Sequence, residues 1–324
     1  WTFPKASDAA NRALMGYTSG TPVVVRTPAN KYVALVTSGY DNGQSIGDGK
    51  GRVWMLDLDT GEPDHTFVTT EGAVSAEAGL ARLSAMLEPD GTVRYAYGGD
   101  LLGNLWRFDL VSKTTVKVAT LTDAAGTRQP ITTAPELGIY AGKRLLMVGT
   151  GRVLDVADLG SGGTQSFYVL SDTTDGTTIP NVRTSLVQHT YTRSGDTMST
   201  EAVNWSTRRG WFFDLPAGEK VNTDPALVFD TITFVTNKSG GADCTASSYL
   251  YAVDILTGGK SVDVSYVSSV ISTKSNATGP TPLKLKSGRI KITGDKYDGD
   301  PFLKEFTNLT PSTPGRNSWR EVVR

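Results

Sequence analysis

One segment recurs along this chain and limits what it can fold into: a large aromatic, any residue, an apolar residue, then an acidic or polar residue, then a turn. The copies are Val53-Trp54-Met55-Leu56-Asp57-Leu58, Leu105-Trp106-Arg107-Phe108-Asp109-Leu110, Phe167-Tyr168-Val169-Leu170-Ser171, Gly210-Trp211-Phe212-Phe213-Asp214-Leu215 and Leu250-Tyr251-Ala252-Val253-Asp254-Ile255. Residues two apart in a strand share a face, so each copy sets an aromatic and an apolar side chain on one side of a sheet. The Asp sits where the strand enters its turn and is placed to accept from turn N–H groups. That structural role outweighs a catalytic one. A weaker sixth copy spans Phe302 to Phe306, with Glu305 in the polar place.

Two further elements recur upstream of the aromatic strand. One is an apolar strand ending in a small residue: Val33 to Gly39, Tyr95 to Gly99, Leu145 to Gly149, Ile232 to Asn237 and Ile290 to Gly294. Before it comes a proline-led strand: Pro22 to Val25, Pro135 to Tyr140, Pro225 to Phe229 and Pro282 to Leu285. Proline is tolerated at a strand start, where its missing donor costs no ladder bond. The period is about 40 to 60 residues, the size of one four-stranded propeller blade. Each such sheet is too small to stand alone and must bury its faces on its neighbours. The reading is an all-β fold, a β-propeller of about six to seven four-stranded blades, some irregular. It takes residues 1–324 as a single β-propeller domain. The stretch 172–205 holds no proline-led strand, which leaves the blade count open. The segment Ala76 to Leu87 has helical spacing, but Gly79 argues against a helix there.

Composition removes several functions. Formal net charge is −1 and pI about 6.2, which argues against a nucleic-acid partner, since that would need a basic face. No run reaches the roughly 18 apolar residues of a membrane span. Cys244 is the only cysteine, and His65 and His189 the only histidines, which excludes most zinc sites and leaves a nucleophile without much choice of base. Cys244 reads as a buried or half-buried thiol. The chain opens at Trp1 without Met or signal peptide and reads as a fragment or processed form of a longer secreted protein.

Three connections between the small-ended and aromatic strands are long: Tyr40 to Arg52, Arg152 to Gln165 and Lys238 to Ser248. In a propeller such connections share one rim, and long loops on a rigid scaffold are where binding usually lives. The aromatic residues of the repeat read as blade core, whereas loop residues such as Tyr40 and Gln165 are expected to be exposed. No contact residue is singled out.

Several stretches resemble the propeller domain of the PilY/PilC family. They are Met15-Gly16-Tyr17-Thr18-Ser19-Gly20-Thr21-Pro22-Val23 followed by Val36 to Asn42, then Tyr97 through Asp109, Arg208 to Leu215, and Ser318-Trp319-Arg320-Glu321. The resemblance implies the C-terminal propeller of a secreted protein borne at a type IV pilus tip or on the outer cell surface, reached through the periplasm. It implies support of pilus assembly against retraction, adhesion to host cells or surfaces, and twitching motility. The implied partners are minor pilins, a host-cell or surface receptor and the N-terminal region of the same protein. Many family members carry a calcium loop before the strand matching Tyr95 to Gly99. Here Glu88, Asp90 and Gly91 fit it, but Met86 and Arg94 fall where oxygen ligands belong. Calcium takes six to eight oxygens, so the loop is expected to be degenerate, with no cofactor held. The acidic stretches Asp41 to Asp48 and Asp295 to Asp300 read as turns.

Rival readings fare less well. A quinoprotein dehydrogenase shares the aromatic–apolar–Asp segment, but many such alcohol dehydrogenases use two adjacent cysteines. A sialidase needs an arginine cluster and its own repeat box, which is absent; Arg208-Arg209 is the only adjacent arginine pair. A generic extracellular binding propeller without a pilus role is the remaining alternative. The chain is therefore read as a binding protein and not an enzyme.

Overall fold

Alternation of apolar side chains produces 22 short strands, seen in a computed structural model that describes residues 1–306 apart from 44–46, 141, 161–162, 200, 241–245 and 286–288. No helix among the described residues is long and apolar enough to cross a membrane. Contacts divide the chain into two compact units. Unit 1 comprises Trp1–Pro135 and Thr174–Val182, and unit 2 comprises Glu136–Thr173 and Arg183–Arg324.

Unit 1 begins with helix α1 (Ala9–Ala13), capped by the Asp8 carboxylate accepting from the Asn11 N–H at 3.1 Å. A four-stranded antiparallel meander follows: β1 (Val23–Arg26), β2 (Tyr32–Thr37), β3 (Arg52–Asp57) and β4 (Pro63–Val68). The next has the same order: β5 (Leu83–Leu87), β6 (Val93–Gly99), β7 (Asn104–Asp109) and β8 (Thr114–Thr120). Val53 and Met55 on one face of β3 join Phe67, Trp106 and Phe108 in a shared core. The opposite face of β3, Trp54 and Leu56, is covered by Phe3, Leu14 and Met15 from the chain's first residues. Both faces of β3 are thus buried, which is why its centre, Val53 to Leu56, is apolar throughout.

Unit 2 opens with β9 (Glu136–Tyr140), β10 (Lys143–Gly149) and β11 (Ser166–Asp172), and then inserts residues 173–209 before its fourth strand. The insertion carries β12 (Val187–His189) and a two-stranded ribbon of β13 (Tyr191–Thr192) and β14 (Thr197–Met198). Only then comes β15 (Gly210–Asp214), giving the order β12-β15-β11-β10-β9 with β12 parallel to β15. A meander of β16 (Ala226–Val228), β17 (Thr231–Lys238), β18 (Ser247–Asp254) and β19 (Ser268–Ser272) follows. A three-stranded sheet of β20 (Thr281–Lys284), β21 (Ile290–Asp295) and β22 (Pro301–Glu305) comes last. Between the first two sheets of unit 2, the rings of Phe167 and Phe234 stack at 3.9 Å and those of Phe234 and Tyr251 at 5.0 Å. A buried aromatic side chain contributes about 1.5–3 kcal/mol, whereas an exposed ion pair such as Lys31–Asp57 is screened by water and salt. The aromatics therefore dominate the energetics.

The structure corrects the sheet count drawn from the repeat. Among the described residues there are five sheets of three or more strands, against the six to seven blades expected. The Trp211 copy does not start a blade of its own; β15 pairs with β11, Val169 opposite Trp211 and Phe167 opposite Phe213. Flanked by β12 and β11, β15 is an interior strand and so carries an interior strand's sequence. Ala76 to Leu87, where Gly79 argued against a helix, is a loop running into β5, with Gly79 at φ +59°.

Candidate binding loops

The five repeat aromatics, Trp54, Trp106, Tyr168, Trp211 and Tyr251, are all buried. They build the sheets. The polar residue after them works as expected in three copies. Asp57 accepts from the N–H of Asp59 and Thr60 at 3.1 and 3.0 Å, Asp109 from Val111 and Ser112 at 2.9 and 3.0 Å, and Asp254 from Leu256 and Thr257 at 3.0 and 2.8 Å. Asp214, on a fourth strand, instead accepts from the Ser166 hydroxyl at 2.7 Å and from both Arg183 Nη atoms at 2.9 and 2.7 Å.

In unit 1 the β2–β3 loop is braced from within. Asn42 Nδ2 donates to the carbonyls of Leu14 and Lys50 at 3.3 and 2.7 Å, and the Gly43 N–H reaches Glu77 at 2.9 Å. Arg52 grips both oxygens of Asp48 at 2.7 Å. That guanidinium draws the Asp48 carboxyl down to about 2. Asp48 is thus a loop anchor. Tyr40 is half-buried and bridges Tyr17; residues 44–46 of the acidic stretch lie outside the described residues.

The β10–β11 loop of unit 2 is held more firmly. Asp158 accepts from Arg152 Nε at 2.8 Å and from the N–H of Leu154 and Asp155 at 2.9 and 3.1 Å. Beneath it the buried Lys220 ammonium donates to the carbonyl oxygens of Asp158 and Gly160. Burial lowers the Lys220 pKa, and the Asp158 carboxylate opposes that shift. Three aliphatic side chains stand out from this frame: Leu154, Val156 and Leu159, at 49%, 80% and 42% exposure. Gln165, expected to be exposed, is buried; the residue lies against β15, where its carbonyl accepts the Leu215 N–H at 2.8 Å. Cys244, in the β17–β18 loop, and the Ser318 to Glu321 stretch lie outside the described residues.

At Glu88 to Thr92 the chain makes a tight turn. Glu88 N–H donates to the Thr92 carbonyl at 2.8 Å, and Asp90 Oδ1 accepts from the Thr92 N–H and hydroxyl at 2.9 and 2.8 Å. Arg26 donates to the Asp90 carbonyl oxygen at 2.7 Å. Met86 is buried in β5, and Arg94 pairs with Asp109 at 3.1 Å over the ring of Tyr95. Two positions of the family's calcium loop therefore hold a thioether and an engaged cation, a donor set that does not fit calcium. In Asp295 to Asp300, the ammonium of Lys296 lies 3.7 and 3.8 Å from Asp298 and Asp300.

Two polar centres escaped the sequence reading. Asp100 is buried and accepts from Trp106 Nε1 at 2.7 Å and from the Asn104 N–H at 2.8 Å. Arg193 and Glu219 meet in unit 2 through the insertion. The partners of Asp100 lie four and six residues along the chain, across the β6–β7 turn, whereas Arg193 and Glu219 are brought together by packing within unit 2.

Residues 4–120 match the family model of the PilY1 beta-propeller domain. The chain is 26% identical over 95% of its length to the type IV pilus biogenesis factor PilY1 of Pseudomonas aeruginosa strain PAO1. It is also 26% identical over 96% of its length to a PilY1 homolog of Xylella fastidiosa. It spans 32% and 27% of those relatives' own lengths. The crystal structure of the Pseudomonas aeruginosa PilY1 C-terminal domain superposes with a TM-score of 0.74 at 22% identity, covering 93% of this chain and 73% of that one. A europium-containing methanol dehydrogenase superposes at 0.50 with 14% identity over 90% of this chain and 50% of that one, a likeness of fold alone. The fold is all-β, a β-propeller.

Proposed function

From these similarities we propose that this chain is a PilY1-type β-propeller domain and the binding head of a type IV pilus-associated protein, acting by contact and without catalysis. The observation that carries the reading is the match to PilY1 along 95% of the chain. The braced loops support it: a loop already fixed in one conformation loses little entropy on binding, so its contacts convert into affinity efficiently.

In this reading the domain sits outside the cell, at the pilus tip or on the outer surface. It supports pilus assembly against retraction, adhesion to cells or surfaces, and twitching. Its partners are minor pilins, a surface receptor and the rest of its own polypeptide. The Glu88–Asp90 turn works without calcium. A saturable rise in Tm on adding calcium, abolished by Asp90→Ala, would contradict that point.

The decisive experiment deletes the gene in its native host and complements it with the full-length protein or with one lacking this domain. Surface pili and twitching are scored, and minor pilins are sought among co-purifying proteins. The full-length protein should restore both phenotypes and the truncated one neither. Unchanged piliation and twitching in the deletion strain would remove the pilus role.

A further inference from the structure

Within unit 2 the insertion places one guanidinium in a cage built by other parts of the chain. Arg193, in the turn between β13 and β14, donates through Nη2 to the Glu219 carboxylate and to the Tyr251 hydroxyl, the latter at 2.9 Å. Nη1 lies 3.3 Å from the Ser268 hydroxyl. The guanidinium carbon sits 3.7 Å from the centroid of the Tyr249 ring. Glu219 is 2% exposed, and its other oxygen accepts from Thr236 at 2.6 Å and from Tyr251 at 2.9 Å. The Arg193 side chain keeps 33% exposure, so the cage opens to solvent on one side.

A buried charged carboxylate is costly unless it is paired and hydrogen-bonded. An aromatic face with carboxylate and hydroxyl acceptors around it suits a planar guanidinium better than an ammonium. The side chain that supplies the cation belongs to a ribbon of two-residue strands. Beyond Arg193 and Tyr191, the ribbon is tied to β19 by Asp196, which accepts from the N–H of Val267 and Ser268 at 2.8 Å each. We propose that Glu219, Tyr249, Tyr251 and Ser268 form an arginine-binding pocket that the chain's own Arg193 keeps closed, and that an arginine side chain on a protein partner can take its place. The ribbon is then a displaceable plug, and the ligand class is a guanidinium presented on a polypeptide. The pocket is separate from the loops assigned above and does not depend on the pilus role.

The test uses N-acetyl-arginine methylamide as probe and the lysine analogue as control. In Arg193→Ala the empty cage should bind the arginine probe saturably and regain Tm, with at least a tenfold weaker response to the lysine probe. Adding Glu219→Gln to that variant should abolish the response. In the unaltered chain, the arginine probe should speed hydrogen exchange at the Val267 and Ser268 amides as the ribbon lifts. If Arg193→Ala folds and shows no saturable arginine response, there is no pocket. If that variant does not fold, the exchange measurement decides alone. Val267 and Ser268 exchanging at the same rate with either probe means Arg193 is a fixed structural pair.

Discussion

Asp100 shows how burial and hydrogen bonding compete on one carboxyl. Burial raises its pKa, and the N–H donors of Trp106 and Asn104 pull it back, leaving it at about 6. The folded chain therefore holds this proton more tightly than the unfolded chain, whose value is 3.8. Its contribution to stability is complete below pH 4 and is lost as pH rises through 6. The loss is on the order of 3 kcal/mol at 1.4 kcal/mol per pH unit. Asp100→Asn cannot titrate, so its stability lacks this slope. Its amide also leaves one N–H donor without an acceptor, at a cost of about 1–3 kcal/mol at every pH. Urea titrations at pH 4 and pH 7 should show the wild-type advantage shrinking with rising pH; parallel profiles would rule out the raised pKa. Gly210 gives a second prediction. Its φ is +139°, and a Cβ there would run into the Val169 carbonyl oxygen. Gly210→Ala should lower stability by about 1–3 kcal/mol from backbone strain alone, with more from the clash, measured by thermal melting.

The strand order of a meander can be read from this sequence wherever its fourth strand follows the third directly. Prolines mark the starts of β1, β9, β16 and β20, small residues end the second strands, and the aromatic segment marks β3, β7, β11, β18 and β22. The aromatic segment does not report a blade; in β3, β7, β11, β15 and β18 it reports a strand whose aromatic and following apolar side chain are both buried. β15, with Trp211, Phe212 and Phe213 all buried, carries the same segment without starting a sheet of its own, so the repeat overcounts the sheets among the described residues. The pairing of β15 with β11 spans a 37-residue insertion (173–209) that has no period, so no local pattern could announce it. The loops follow the same rule. Their positions were visible as gaps between strands, whereas their anchors, Lys220 under Asp158 and Glu77 under Gly43, come from distant parts of the chain. The insertion's own fastening is testable. Arg183 holds Asp214 with two bonds, and its guanidinium lies 4.5 Å from the Phe212 ring centroid. Arg183→Met keeps the stem and removes the charge. It should cost about 1–3 kcal/mol, less than the 3–5 kcal/mol of a fully buried pair, because Asp214 keeps 28% exposure. Chemical denaturation measures it.

A whole propeller built from small sheets must cover the outward faces of each one or bind something there. In unit 1 the chain covers the Trp54 face itself. Phe3 lies 5.4 Å from the Trp54 ring, and Asn11 accepts the Trp54 Nε1–H at 2.8 Å. Deleting residues 1–16 should uncover that face, lower stability by roughly 2–4 kcal/mol for the apolar area exposed, and create binding of a hydrophobic dye; an unchanged melt would show the segment to be dispensable. The three aliphatic side chains of the β10–β11 loop pose the opposite case. Leu154, Val156 and Leu159 are left in water on a loop fastened by Asp158, Arg152 and Lys220. Exposed aliphatics add nothing to folding, and surface substitutions away from such anchors usually stay within about 0.5 kcal/mol. A triple change to serine should therefore leave the melting curve in place. If this loop makes the contacts proposed for the domain, the same change in the full-length protein should reduce adhesion or surface piliation severalfold, because it removes the apolar area those three side chains would bury against a partner. Lysine 220 provides the control. Lys220→Met removes the two bonds to the carbonyls beneath the loop and keeps the aliphatics, so it should weaken the same phenotype by loosening their frame. Normal piliation and adhesion in both variants would move the binding surface away from this loop.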